Sequence, residues 1–351
     1  MLANSGSPLL IAGILHLLVG NSIIGFCEGI LFAALTKVRS SICVVVFVVA
    51  NYASAWVGAI WLFSPDASLW ADITIANLKS MLAIQVVVAF AYTVLLEFPF
   101  ALFSRRFVTE QSRPRIRHVV RSHIVVQLAS YVVIGVLYVP FSETSALTAG
   151  IVEAEQLLDE RVRVFALSQD GTRVLEYDRV LGRFRSFREL EHKSRRFDRL
   201  MFDSQSSDGM NLVVARESGL NDQRTVEVVL RDLIYSAVPC ASSGYKYERF
   251  QSPWHEQNHF SGYPSNWSYV GDVWGFGLGA NNGQEHQRFG FSCPLLGWTC
   301  DEVTRLPNEI ALFRFGNDQI CLFDPRTNRA ALLGRGTSVV PVLEPLTSNE
   351  R

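Results

Sequence analysis

The sequence predicts two unlike parts: an α-helical membrane domain of four transmembrane helices, and an all-β soluble domain of propeller-like or sandwich type. Three observations predict this. Residues 1–141 hold only 5 acidic and 9 basic side chains, whereas residues 142–351 hold 28 and 23. Four long apolar runs occupy the first part, at about residues 8–35, 42–63, 81–103 and 119–138. The second part carries short β-type runs broken by Gly, Asp and Asn. The net charge of −1 averages these two halves and says little about partners.

The length of the apolar runs makes the membrane argument. A helix rises about 1.5 Å per residue, so about 20 residues cross the hydrocarbon, and each run reaches that length. Core helices of soluble proteins interrupt their apolar face with charges at every turn, and these runs do not. The first run lacks a basic region before it, is too long for a cleaved leader, and is followed by Lys37 and Arg39, so it reads as a retained span.

Basic residues in short loops mark the cytoplasmic side. Lys37 and Arg39 follow the first run, and Arg105, Arg106, Arg113, Arg115, Arg117 and Arg121 follow the third. The second loop has Asp66 and Asp72 and no base before Lys79. The expected topology is a multi-pass protein of the cell membrane with both termini outside. Residues 142–160 read as a linker and residues 161–351 as an extracytoplasmic β-rich domain.

Export would permit disulfides. Cys240, Cys293, Cys300 and Cys321 lie in that domain, and Cys293 with Cys300 could clip one loop. Four cysteines allow three full pairings, and four free buried thiols are the alternative. Asn266-Trp-Ser is a glycosylation sequon, meaningful in a eukaryotic secretory pathway.

Inside the membrane half the polar residues carry most information. Glu28 lies in the first run, Asn51 in the second, Glu97 in the third, and His123 and Gln127 in the fourth. Counted from the cytoplasmic ends, all fall roughly 10–15 Å deep at about 1.5 Å per residue, so each helix can contribute to one polar layer. A carboxylate in hydrocarbon costs several kcal/mol, and such a layer is either interhelical glue or a binding and proton-relay site. The glue reading is preferred, because four spans show no inverted repeat or pair of broken helices of transporter type. Pro99 could kink the third span locally. Ala50, Ser54 and Gly58, four residues apart, mark a face for close helix packing.

In the β half a faint repeat relates Arg173–Asp178 to Gln319–Asp324. Each ends in an aromatic residue and Asp, with Arg183 or Arg329 five residues later. Residues 233–306 are rich in Gly and aromatics, including Trp254, Trp267, Trp274 and Trp298, and read as an elaborated loop region or a ligand-facing surface.

One string looks catalytic. His255-Glu256-Gln257-Asn258-His259 matches H-E-x-x-H, in which two His one turn apart on a helix bind zinc and the Glu acts as general base. Pro253 and Pro264 bracket it, position 265 is Ser rather than a third His, and only His286 or Glu285 offers a remote ligand. The helical context is therefore missing, and a loop with coincidental histidines is the favoured reading. No phosphate-cradling loop or nucleophile elbow is present.

The resulting expectation is a non-enzymatic membrane protein that presents an extracytoplasmic β-rich domain for binding, sensing or complex assembly. The partners implied are the lipid bilayer and other membrane proteins, with no nucleic acid and no cofactor beyond zinc through that one string. Two alternatives follow: a transporter or channel subunit using the polar layer, and a membrane-anchored zinc hydrolase.

Overall fold

A computed structural model describes residues 16–62, 72–138, 142–193, 198–203, 210–216, 225–233, 239–241, 258–260, 266–271, 277–293, 296–316 and 318–343. The chain divides into two compact bodies. One is formed by residues 1–73, 77–142 and 293–295, the other by residues 74–76, 143–292 and 296–351.

The first body is a helix bundle. A π-helical turn at His16–Gly20 leads into α1 (Asn21–Thr36), followed by α2 (Ser40–Leu62), α3 (Leu78–Ser104) and α4 (Ile116–Tyr138). All four are long and apolar enough to cross a membrane. Lys37 ends α1 in the left-handed conformation, and its N–H closes on the Ala33 carbonyl at 2.8 Å. This turn lets α2 start only three residues later. Pro99 lies inside α3, which continues past it to Ser104. Phe32, Cys43, Phe47, Ala101, Val119 and Val126 form the apolar core of the bundle.

Helices α1 and α2 approach closely, and glycine permits it. A Cβ on Gly25 would meet the Val48 Cα at 2.6 Å, and one on Gly29 would meet the Val44 Cα at 2.5 Å. Both distances fall below any real Cβ contact, so two small residues four apart let the backbones touch. The small-residue face expected on α2 is only partly used this way. Ala50 is fully buried, but a Cβ on Gly58 would meet nothing within 4 Å.

The described strands of the second body form five sheets, and no barrel or propeller closes among them. The middle layer is a four-stranded sheet in the order Val339–Leu343, Val162–Leu167, Arg173–Asp178, Arg183–Glu189, antiparallel throughout. Its side chains alternate between two separate cores. Val162, Val164, Ala166, Val339 and Leu343 pack with Leu312, Ile320, Leu322 and Leu333 of a seven-stranded sheet. Phe165, Leu167, Val340 and Val342 pack with Leu200, Leu212 and Val214 of a three-stranded sheet. Two buried faces explain why Val162–Leu167 is nearly all apolar instead of alternating.

Of residues 142–160, expected as a linker, 143–160 belong to this body. The short helix Ser145–Thr148 is followed by strand Gly150–Ile151, which pairs in parallel with Arg329–Arg335, and Ala146, Ala149, Ala154 and Leu158 are buried. The faint repeat corresponds to two hairpins built alike. Each first strand has a register shift at its second residue, between Val174 and Leu175 or between Ile320 and Cys321. Asp178 faces Arg183 and Asp324 faces Arg329, and each Asp accepts a backbone N–H two residues on.

Substituting Gly29 by Leu should force α1 and α2 apart and destabilise the bundle by about 1–3 kcal/mol. Gly58→Leu, where there is room, should change little. Thermal unfolding of the two full-length variants in one detergent compares them, and equal stability would contradict the close approach.

A second expectation concerns the turn after Val162–Leu167. Asp170 accepts the Ser168 hydroxyl at 2.6 Å and the Thr172 N–H at 3.1 Å. These two bonds hold its carboxyl at about 2, below its ordinary 3.8. A carboxyl held low in the folded chain contributes stability above its ordinary value and loses it as pH falls through the folded value. Asp170→Asn should therefore weaken the fold at neutral pH and flatten its acid dependence between 3.8 and about 2. Acid unfolding of both chains, followed by circular dichroism, is the check.

Candidate functional site

The structure brings together the five polar residues that the sequence singles out in the bundle. Glu28 on α1, Asn51 on α2, Glu97 on α3, and His123 and Gln127 on α4 are all buried, none more than 7% exposed. Asn51 Nδ2 donates to Glu28 Oε2 at 2.6 Å. Gln127 Nε2 donates to Glu97 Oε2 at 2.7 Å and reaches Glu28 Oε2 at 3.4 Å. One amide nitrogen thus lies between two carboxyl groups and joins three helices.

Two serines complete the layer. Ser54 Oγ donates to Glu97 Oε1 at 2.7 Å, and Ser130 bonds Glu28. Sequence reasoning missed both roles. Each lies three residues after a layer amide, Ser54 after Asn51 and Ser130 after Gln127, so each shares its face at helical spacing. That spacing is the signal that could have found them.

His123 is one turn before Gln127 and plays a different part. Its Nε2 is 3.1 Å from the Val94 carbonyl, and its ring lies 6.1 Å from those of Phe47 and Phe98. It touches neither carboxyl through a hydrogen bond. His123 Nδ1 and Gln127 Oε1 have no partner among the described residues. Among those residues neither glutamate meets a Lys or Arg; amides and hydroxyls satisfy both. Beside the layer, the Tyr131 and Thr93 hydroxyls pair at 2.9 Å.

The other candidates show no assembled site among the described residues. His259 lies in strand Asn258–Phe260, which pairs with Pro239–Ala241 and Cys300–Arg305. A strand separates residues on successive turns of a would-be helix, so the one-face geometry of H-E-x-x-H is not available at its second His. His255 and Glu256 lie outside the described residues. Among the described residues no group of three His, Cys, Asp or Glu side chains could hold a metal. Cys300 is a free, fully buried thiol, so the possible Cys293–Cys300 clip is not made, and Cys300 and Cys321 follow the free-thiol alternative. Burial pushes the Cys300 and Cys321 thiols well above their ordinary value, which leaves them inert rather than nucleophilic.

The strongest charges of the β body are paired internally. Arg314 Nε donates to Asp301 at 2.7 Å and its Nη1 to the Thr337 carbonyl at 2.7 Å. Burial works against its charge, but Glu302 and Asp301 outweigh that and hold the guanidinium above its ordinary range. Glu302 lies 3.0 Å from Arg199 Nε and accepts the Val339 N–H at 2.9 Å. This cluster ties strand Cys300–Arg305 to Val339–Leu343.

No protein-family model, curated protein or solved structure matches this chain.

The amide of Gln127 should be the keystone of the layer. Gln127→Leu removes the donor to both carboxyls and should destabilise the full-length protein by about 0.5–2 kcal/mol, the range of interhelical hydrogen bonds in membrane proteins and model peptides. Unfolding in mixed micelles measures it. Stability equal to the parent chain would mean that the amide does not join the helices.

Proposed function

We propose that this is a four-span membrane protein whose bundle is a fixed platform, and that the platform presents the β body outside the cell for binding or assembly of a partner. The observation that carries the platform reading is the internal matching of the polar layer. Glu28 and Glu97 take their donors from α2 and α4, so the polar groups hold the helices to each other. Embedding in lipid is supported by the outer surface of the helices, where Val45, Leu95 and Val132 are 64%, 71% and 65% exposed. Apolar surface on that scale belongs in contact with lipid or protein.

The orientation follows from the Arg-rich turn. Arg105, Arg106, Arg113, Arg115, Arg117 and Arg121 belong on the cytosolic side by the basic-loop rule. The end of α4 then faces outward, and the β body with it. For the body itself a propeller-like stacking is the finer proposal. Three sheets pack face to face through two cores, and the last described strand, Val339–Leu343, returns to pair with Val162–Leu167 near the start of the body.

A transporter or channel subunit using the layer is the second reading. Buried, unpartnered Gln127 Oε1 and His123 Nδ1 favour it. Unchanged flux in Glu28→Gln and Glu97→Gln, with lowered stability, would remove it.

Val180, 95% exposed at the tip of the Arg173–Asp178 hairpin, provides the probe for the main reading. A membrane-impermeant maleimide should label Val180→Cys in intact cells above whatever level the native cysteines of the parent chain give, and the added label should map to position 180. A crosslinker attached there should then yield a discrete adduct with another protein. Labelling only after the cells are opened would reverse the orientation, and the absence of any adduct would argue against partner binding.

A further inference from the structure

The glutamate pair has an unusual charge balance. Two carboxyl groups reach the same Gln127 nitrogen, at 2.7 and 3.4 Å. The groups around them, helix by helix, are Asn51 and Ser54 from α2 and His123, Gln127, Ser130 and Tyr131 from α4. None is a Lys or Arg. The His123 ring bonds the Val94 carbonyl, and the Tyr131 hydroxyl bonds Thr93. Two negative charges would therefore share a donor in an apolar bundle with no Lys or Arg bonded to them among the described residues, an arrangement that repels itself.

The second observation is the fully buried Gln127 side chain. Its Oε1 is an acceptor in the layer without a donor among the described residues. The Asn51 amide and the Ser54 hydroxyl already donate elsewhere, so a carboxyl O–H or a protonated His123 Nδ1 is the further donor the layer can create. Turning the Gln127 amide about its last bond exchanges Oε1 and Nε2, and in that orientation Oε1 can accept a carboxyl O–H.

We infer that Glu28, Glu97 and the Gln127 amide form a proton-binding site that holds one exchangeable proton on one or the other of the two carboxyls. The step is transfer of a proton from a hydronium ion to one carboxylate oxygen, releasing water, with no other bond made or broken. In the unprotonated pair Gln127 Nε2 bridges both groups, and in the protonated pair Oε1 accepts from one of them. The site holds whether or not the layer conducts, so its failure and the failure of either functional reading are separate results.

A hydrophobic carbodiimide, which modifies protonated carboxyls in apolar surroundings, tests this on the full chain in lipid nanodiscs. Mass spectrometry should map the adduct to Glu28 or Glu97. The yield should fall about tenfold for each unit of pH above the midpoint, as a single-proton equilibrium requires. His123→Phe should keep the adduct, and the Glu28→Gln, Glu97→Gln double variant should lose it. If that double variant does not fold, the adduct map of the parent chain decides. No adduct at either residue, a yield indifferent to pH, or loss of the pH dependence in His123→Phe would overturn the inference. Protection by sodium at constant pH would also overturn it, in favour of a metal cation as the ligand.

Discussion

A carboxyl group carried into an apolar helix bundle must find donors there, and the rest of the bundle is arranged around that requirement. Glu28 and Glu97 lie on different helices, and their donors lie on the remaining two. Satisfying both groups therefore fixes the depth of all four helices relative to one another. Leucines and valines can slide past each other at little cost in lipid, where no hydrophobic force selects one register. Asn51, Ser54 and Gln127 cannot, because each has a specific oxygen to meet.

The glycine contact between α1 and α2 serves the same layer. Gly25 and Gly29 flank Glu28, and their lack of a Cβ lets α1 lie against Val44 and Val48 of α2. That closeness puts the Glu28 carboxyl within 2.6 Å of Asn51. Larger residues at the two glycines would move the acid away from its first donor. The bundle thus combines a shape constraint from small residues with a chemical constraint from polar ones.

Much of this was legible in the sequence. Rise per residue and loop charge were enough to put Glu28, Asn51, Glu97 and Gln127 at one depth. The same arithmetic could not say which way a side chain turns, so Ser54 read only as a small packing residue and His123 read as a layer member although it bonds a carbonyl one turn away. Gly25 and Gly29 have the same four-residue spacing as Ala50, Ser54 and Gly58, so spacing alone does not say which helix supplies the close contact. In the β body, runs such as Gln319–Asp324 were visible because their residues are buried and apolar. Arg183–Glu189 was not, since it is a charged, largely exposed strand held by pairing with Arg173–Asp178. Cys300–Arg305 escaped for another reason: Asp301 and Glu302 look like loop residues, yet Arg314 and Arg199 neutralise them inside the sheet. Long-range pairing of that kind leaves no local pattern.

The central claim is that the buried polar contacts join the helices energetically and do not merely lie near one another. A double-mutant cycle on Glu28→Leu and Asn51→Leu, read by reversible unfolding of the full-length protein in mixed micelles, measures it most directly. The account predicts a coupling of about 1 kcal/mol between the two substitutions. Effects that add to within about 0.3 kcal/mol would contradict it, because the two side chains would then contribute to the bundle independently.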